Sequence, residues 1–284
     1  MFGFINIYKP KGMTSHDVVS YLRRITKIKQ IGHTGTLDPF AEGVLPVCIG
    51  KATRLIEYLD DDKAYIGVIK LGESTTTYDT EGEVVETSDK PVMLDDIEKV
   101  IETFKGEIEQ LPPIYSAIKV NGKKLYEYAR NGESVEILPR KVNISKLEVL
   151  NYNPQKRELE LSIECSKGTY IRSLANDIGK SLDTYGHLIK LIRVRAGKFY
   201  INQAVKLEEL KNIDDVKANL KNPLDYLSYN VYEVNDSECR YIKNGISIEK
   251  AADDGRIVMV NGNLEIVAIC NIRSHKAKPE KVFI

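Results

Sequence analysis

The cleanest alternation of apolar and polar positions runs from Arg157 to Cys165. Leu159, Leu161, Ile163 and Cys165 fall on one side, and Glu158, Glu160, Ser162 and Glu164 on the other. A period of two is that of a strand with one face buried. Beyond "SKG" the period lengthens: Ile171, Leu174, Ile178 and Leu182 form one stripe, which predicts a helix over about 169–182. "GFINIY" reads as a strand. "TSHDVVSYLRRI" reads as a helix capped by Thr14 with Asp17 three residues on, its inner face formed by Val18, Val19, Leu22 and Ile25. Tyr65 to Leu71 is a further strand and Leu94 to Phe104 a further helix. Helices interleaved with such strands predict an α+β chain with a largely antiparallel sheet.

Near "KNPLDYL" (221–227) the texture changes to short strands. Asn261-Gly262, between "RIVMV" and "LEIVAIC", predicts a tight hairpin with positive φ at both central residues. The chain therefore divides at this level into a large domain, 1–227, and a small β-rich one, 228–284.

Composition narrows the class. At 284 residues, 42% hydrophobic and 29% charged, the chain can bury a sizeable core and does not read as disordered. No apolar run approaches the roughly 18 residues of a membrane span, and "MFGFINIYKPKG" lacks the layout of a signal peptide. Cys48, Cys165, Cys239 and Cys270 are too scattered for a zinc pair. With no signal, they fit reduced thiols in a cytoplasmic protein. The net charge is zero, but it is unevenly spread. Residues 1–54 carry +5, 55–110 carry −11, 111–200 carry +7 and 201–284 carry −1. A polyanionic ligand is therefore compatible with the neutral total.

The densest chemistry lies in "GHTGTLDPFAEGVLP", 32–46. It is not a phosphate-binding loop for nucleotides: Leu45 stands where such a loop needs glycine, and Ala52 where Ser or Thr would hold magnesium. In isolation, Asp38-Pro39 reads as a helix N-cap followed by proline at the first helical position, and His33 as a core or capping histidine. Gly32, Gly35 and Gly43 clustered around one aspartate point instead to backbone that leaves room for a ligand.

This segment, extended to "GHTGTLDPFAEGVLPVCIGKATR", resembles the catalytic motif of the bacterial tRNA pseudouridine synthase B (TruB) family, with Asp38 at the catalytic aspartate. "YKPKGMTSHDVV", "AYIGVIKLGESTTTYDTEG" and "CSKGTYIRSLANDIG" are similar to the family's other motifs, with Tyr65 at the active-site tyrosine and Arg172 at the aspartate's partner. "QLPPIYSAIKVNGKKLYEYARNG" resembles its RNA-clamping insertion, which spans about 106–141 here. The order is that of the family across most of residues 4–199. "LIRVRAGKF" departs from it, with Ile192 in place of a second arginine. The resemblance implies a mixed, largely antiparallel central sheet flanked by helices, followed by a PUA-like RNA-binding domain.

It implies, further, isomerisation of the T-loop uridine (uridine-55) of tRNA to pseudouridine by a monomer, with no cofactor and no metal, and with the target base flipped out of the RNA. Arg172, always charged, would keep the Asp38 carboxylate anionic in a water-poor site. A tyrosine of ordinary pKa, about 10, is ionised in roughly one molecule per thousand at pH 7, so stacking with proton relay suits Tyr65 better than standing base. His33, Gly32, Thr36, Tyr170 and Leu191 are the implied nucleotide contacts. Lys9, Lys119, Lys123, Lys124, Arg130, Arg140 and Lys141 are the implied phosphate contacts. The competing reading is a non-catalytic tRNA-binding or folding chaperone of the same fold.

Overall fold

The computed structural model describes residues 1–284. Its main sheet has ten strands. Eight run in the order Val205–Lys206, Gly3–Lys9, Glu42–Ile49, Gly186–Ala196, Lys63–Leu71, Glu158–Cys165, Arg140–Asn153, Gly106–Gln110. Two pairings are parallel, Gly3–Lys9 with Val205–Lys206 and Glu42–Ile49 with Gly186–Ala196; the other pairings are antiparallel. The sheet is thus mixed and mostly antiparallel.

The helix Ile171–Ser181 starts two residues later than its stripe suggests, because Tyr170 occupies the N-cap. It lays Ile171, Leu174, Ala175 and Ile178 on one side of the sheet, in a core shared with Tyr65, Leu161, Ile163 and Leu191. The helix Ser15–Thr26 opens with the expected reciprocal cap between Thr14 and Asp17. It buries Val18, Val19 and Leu22 against Ile5, Ile7, Leu45 and Val47.

A second, five-stranded sheet runs from Asn230 to Val282. Its hairpin, Gly255–Val260 with Ile266–Arg273, lies where expected, but the turn is wider. The positive φ falls at Leu264, and Asn261 Oδ1 accepts from the amides of Asn263 and Glu265. That local side-chain bonding outcompetes the two-residue turn.

The segment "KNPLDYL" is not a loose connector. Tyr226 and Leu227 are buried, and Tyr226 stacks on Phe199 with ring centroids 4.2 Å apart. They belong to one apolar cluster with Phe4, Val44, Leu55 and Tyr58 of the large sheet's side, and with Val258, Val260, Ile266, Ile269 and Phe283 of the small sheet. The two sheets share a core, so residues 228–284 cannot be removed without uncovering it.

Candidate active site

The Asp38 loop leaves the short strand Ile31–His33 and returns as Glu42–Ile49. It arrives where that strand meets Gly186–Ala196, at the parallel pairs Glu42–Ile192 and Gly43–Arg193. No helix follows Pro39. The amide of Ala41 donates to the Asp38 carbonyl at 3.1 Å, closing a turn in which Pro39 supplies the fixed φ of the second position. The N-cap reading of Asp38 is thereby replaced.

The Asp38 carboxylate is about one third exposed (34%) and meets Arg172 from the first turn of the Ile171–Ser181 helix. Arg172 Nε lies 2.9 Å from Asp38 Oδ2, yet its N–H is not aimed at that oxygen, so the contact is an ion pair without a directed hydrogen bond. The rest of the guanidinium is committed elsewhere. Nη1 donates to the Thr77 carbonyl at 3.2 Å and lies 3.5 Å from Asp79 Oδ2; Nη2 donates to the Tyr115 carbonyl at 3.0 Å. Arg172 therefore does not grip Asp38 with two parallel bonds; it bridges two carboxylates. Asp79 is buried and itself satisfied by Thr77 Oγ1 at 2.5 Å and the amide of Glu81 at 2.9 Å.

Tyr65 sits mid-sheet on Lys63–Leu71, opposite Arg193 and Ile163. Burial pushes its phenol up to about 12, further from ionisation than a free tyrosine. Leu37, Phe40, Ile171 and Leu191 complete an apolar wall with it. His33 ends its strand with Nδ1 buried and unpartnered. Burial, then the charges of Arg193 and His16, hold its pKa down, so the ring is neutral at pH 7.

Other expectations are redrawn. Lys9 is not available to a phosphate: it is fully buried, and Nζ donates to the carbonyls of Met13 at 2.6 Å, Pro10 at 3.0 Å and Pro39 at 3.5 Å. Of the three glycines, only Gly43 has a positive φ, +109°, and a Cβ there would lie 2.3 Å from the Arg193 carbonyl. Gly32 and Gly35 have room for a Cβ at ordinary contact distance, and Thr36 is exposed at the loop tip. The ends of the expected insertion, Gly106–Gln110 and Arg140 onward, are paired strands of the main sheet, so the excursion proper is 111–139.

That excursion carries a two-strand ribbon, Lys119–Val120 with Lys123–Lys124, and a helix, Leu125–Arg130. Lys119, Arg130, Arg140 and Lys141 are exposed. Lys123 pairs with Glu133 at 2.7 Å and Lys141 with Glu107 at 2.8 Å; Lys124 and Arg130 both lie over the Tyr126 ring. Its root is tied to the Ile171–Ser181 helix. Gln110 donates to the Tyr170 carbonyl and accepts from the Tyr170 amide, and Ser173 Oγ donates to the Leu111 carbonyl.

Sequence reasoning passed over Asp79, Ser15, Gln110 and Arg193. The last left a signal: it stands two residues after Leu191 on the inward face of a strand, where a charge is out of place.

Comparison with known proteins gives this fold and site, a mixed sheet with a buried arginine bridging two carboxylates, its class. Residues 23–171 match the model of the "TruB family pseudouridylate synthase (N terminal domain)", and residues 172–227 that of the "tRNA pseudouridylate synthase B C-terminal domain". The chain belongs to the TruB family. It is 43% identical over 302 aligned positions to a protein named tRNA pseudouridine synthase B from Staphylococcus aureus strain MW2, covering 99% of both chains. It is 43% identical over 286 positions to another of that name from Caldanaerobacter subterraneus subsp. tengcongensis, again with 99% of both chains covered. Among solved structures, a chain of a Cbf5-Nop10-Gar1 complex superposes with a TM-score of 0.74 at 26% identity, covering all of this chain and 85% of that one. A chain of an archaeal Nop10-Cbf5 complex, at 24% identity and a TM-score of 0.71, shares the fold.

Proposed function

We propose that this chain converts the T-loop uridine-55 of tRNA to pseudouridine, with Asp38 as the catalytic carboxylate. The observation that carries the reading is the placement of Asp38: partly open, 2.9 Å from a buried arginine, on a loop whose Leu37 and Phe40 pack in the same core as the buried Tyr65. The names of the relatives supply the substrate class.

In this reaction the C1′–N1 glycosidic bond breaks, the uracil turns, and C5 bonds to C1′. C5 gives up a proton and N1 gains one, so nothing is consumed from outside. Asp38 drives the cleavage as an anion, by attack at C1′ or C6 or by drawing the C2′ proton. Tyr65, neutral at every physiological pH, stacks on the uracil and relays the C5 proton through its hydroxyl. The target base must first leave the RNA stack, at a cost of a few kcal/mol. Neutral His33, beside the loop, is suited to stacking in the gap that remains.

Lys119, Lys123, Lys124, Arg130, Arg140 and Lys141 are assigned to the phosphates of the T arm. The small domain, read as PUA-like, adds a cavity of about 640 Å³ whose charged lining is Arg273, Lys276, Lys278 and Glu280, a net positive surface for more distant RNA. The protein is taken to act as a cytoplasmic monomer. The test is incubation with an unmodified T-arm stem-loop followed by mapping of pseudouridine along it. Formation at the T-loop uridine alone supports the reading; no product, or product elsewhere, overturns it.

A further inference from the structure

The charge of Arg193 is spent in an unusual way. The side chain is 1% exposed, and its directed hydrogen bonds run to main-chain carbonyls: Nε to Val44 at 2.7 Å, Nη1 to Thr36 at 3.2 Å and Nη2 to Gly35 at 3.2 Å. The guanidinium also faces the Tyr65 side chain, so the loop it ties lies against that phenol. A buried cation without a carboxylate beside it is costly, and the cost needs a return. Here the three acceptors lie on both sides of Asp38, at the exit from Ile31–His33 and inside the strand to which the loop returns. One planar group therefore fixes the span between the two ends of the catalytic loop. Its backbone helps as well: Gly43, at φ +109°, packs directly on the Arg193 carbonyl.

A second tie holds the middle. Ser15, 2% exposed at the start of the Ser15–Thr26 helix, accepts from the amide of Leu37 at 2.8 Å and donates to its carbonyl at 3.0 Å. Leu37 is the residue immediately before Asp38, and its side chain is buried in the main core. Asp38 itself is joined to Arg172 only by an ion pair without an aimed hydrogen bond. The direction of the carboxylate is thus set by the backbone that carries it.

We infer that Arg193 and Ser15 are positioning residues for the reaction: they hold the Gly35–Val44 loop so that the Asp38 carboxylate meets the target ribose or base in reacting geometry. Neither needs to touch RNA. Lysine cannot replace Arg193, because a point charge on a flexible stem does not reach three carbonyls that are arranged around a planar fork. Displacing a reacting group by about 1 Å costs on the order of a hundredfold in rate.

This inference rests on the tRNA pseudouridine synthase reading, and the two fail separately: wild-type turnover of the T-arm stem-loop tests the reading, and the variants test only the positioning. Arg193→Lys and Ser15→Ala are compared with wild type in single-turnover reactions at saturating enzyme, where an unfolded fraction lowers the effective enzyme concentration but not the limiting rate. Stem-loop affinity is measured alongside. We expect the limiting rate to fall about a hundredfold for Arg193→Lys and about tenfold for Ser15→Ala, with affinity within about threefold of wild type. Should Arg193→Lys not fold, Ser15→Ala carries the test, since it removes two bonds from the same loop and no bulk. Limiting rates within threefold of wild type, with only the melting temperature lowered, would make both residues structural and overturn the inference. A large loss of affinity at unchanged rate would overturn it too, by making Arg193 a binding residue.

Discussion

The Asp38 loop and the 111–139 excursion both depend on cations and use them in opposite ways. Around the loop, Lys9, Arg172 and Arg193 are at most 6% exposed, and their donors go mainly to main-chain carbonyls. On and beside the excursion, the lysines and arginines stand at the surface, leaning on tyrosines or on nearby acids such as Glu133 and Glu107. Buried charge whose donors end on fixed acceptors restrains geometry, because moving those acceptors strands the charge. Exposed ion pairs contribute about 0–1 kcal/mol each and exchange readily for phosphate. The first region fixes the loop that carries one carboxylate; the second displays its charge at the surface.

The comparison is broken most severely at Asp38. Asp38→Asn keeps the turn and the packing but removes the anion, and turnover of the T-arm stem-loop should fall more than a hundredfold while binding stays within about tenfold. Turnover above about one per cent of wild type would remove Asp38 from its role. Arg172→Lys comes next. A lysine ammonium can keep one charge near Asp38, but it cannot also serve Thr77, Tyr115 and Asp79. A fall of about thirtyfold in kcat is expected, with a small change in KM; a rise in KM alone would place Arg172 among the RNA contacts instead.

How far the sequence exposed all this depended on whether the cause was local. The strand Glu158–Cys165 and the Thr14 cap were legible because alternation and capping act within a few residues. Asp38, Tyr65 and Arg172 were reached through resemblance, and the structure brings Arg172 and Asp38 into contact although 134 positions separate them. Lys9 was misread, since no local pattern says whether a lysine's ammonium ends in water or on the Met13 and Pro39 carbonyls. Arg193 was missed for a related reason: its partners are backbone atoms some 150 positions away, and backbone acceptors leave no trace in residue type. The shared core between the sheets was hidden likewise, because Tyr226 and Val258 look like ordinary interior residues of either domain.

A smaller effect is expected from the exposed cations. Replacing Lys119, Lys123 and Arg130 together by alanine should raise KM about tenfold and leave kcat nearly unchanged. With the proposed set of about four to six phosphate contacts, the expected slope of log K against log salt is about −3 to −5, and each cation removed from a phosphate should flatten it by roughly 1. A fall in kcat with an unchanged salt slope would mean that the excursion acts on the Ile171–Ser181 helix through Gln110 and Ser173 instead of gripping RNA.

The last effect, on stability and not on turnover, separates the two regions by sign. Burial lowers Lys9 from an ordinary 10.5 to about 8, whereas its hydrogen bond to Glu107 raises Lys141 above 10.5. Between about pH 8 and 10.5 the unfolded chain holds a proton on Lys9 that the folded chain has released, so stability attributable to Lys9 rises with pH through that window. For Lys141 the folded form holds the proton longer. Its contribution is complete below 10.5 and is lost as pH climbs through the raised value. Unfolding free energies of wild type, Lys9→Met and Lys141→Met, measured by denaturant from pH 7 to 10.5, isolate the two terms by subtraction. The difference between wild type and Lys9→Met should shift in favour of wild type as pH rises. That between wild type and Lys141→Met should stay flat, beginning to shrink only at the top of the range, because an exposed pair is screened by solvent. Parallel profiles would mean that Lys9 is hydrated in solution and that the contrast between buried and displayed charge does not extend to it.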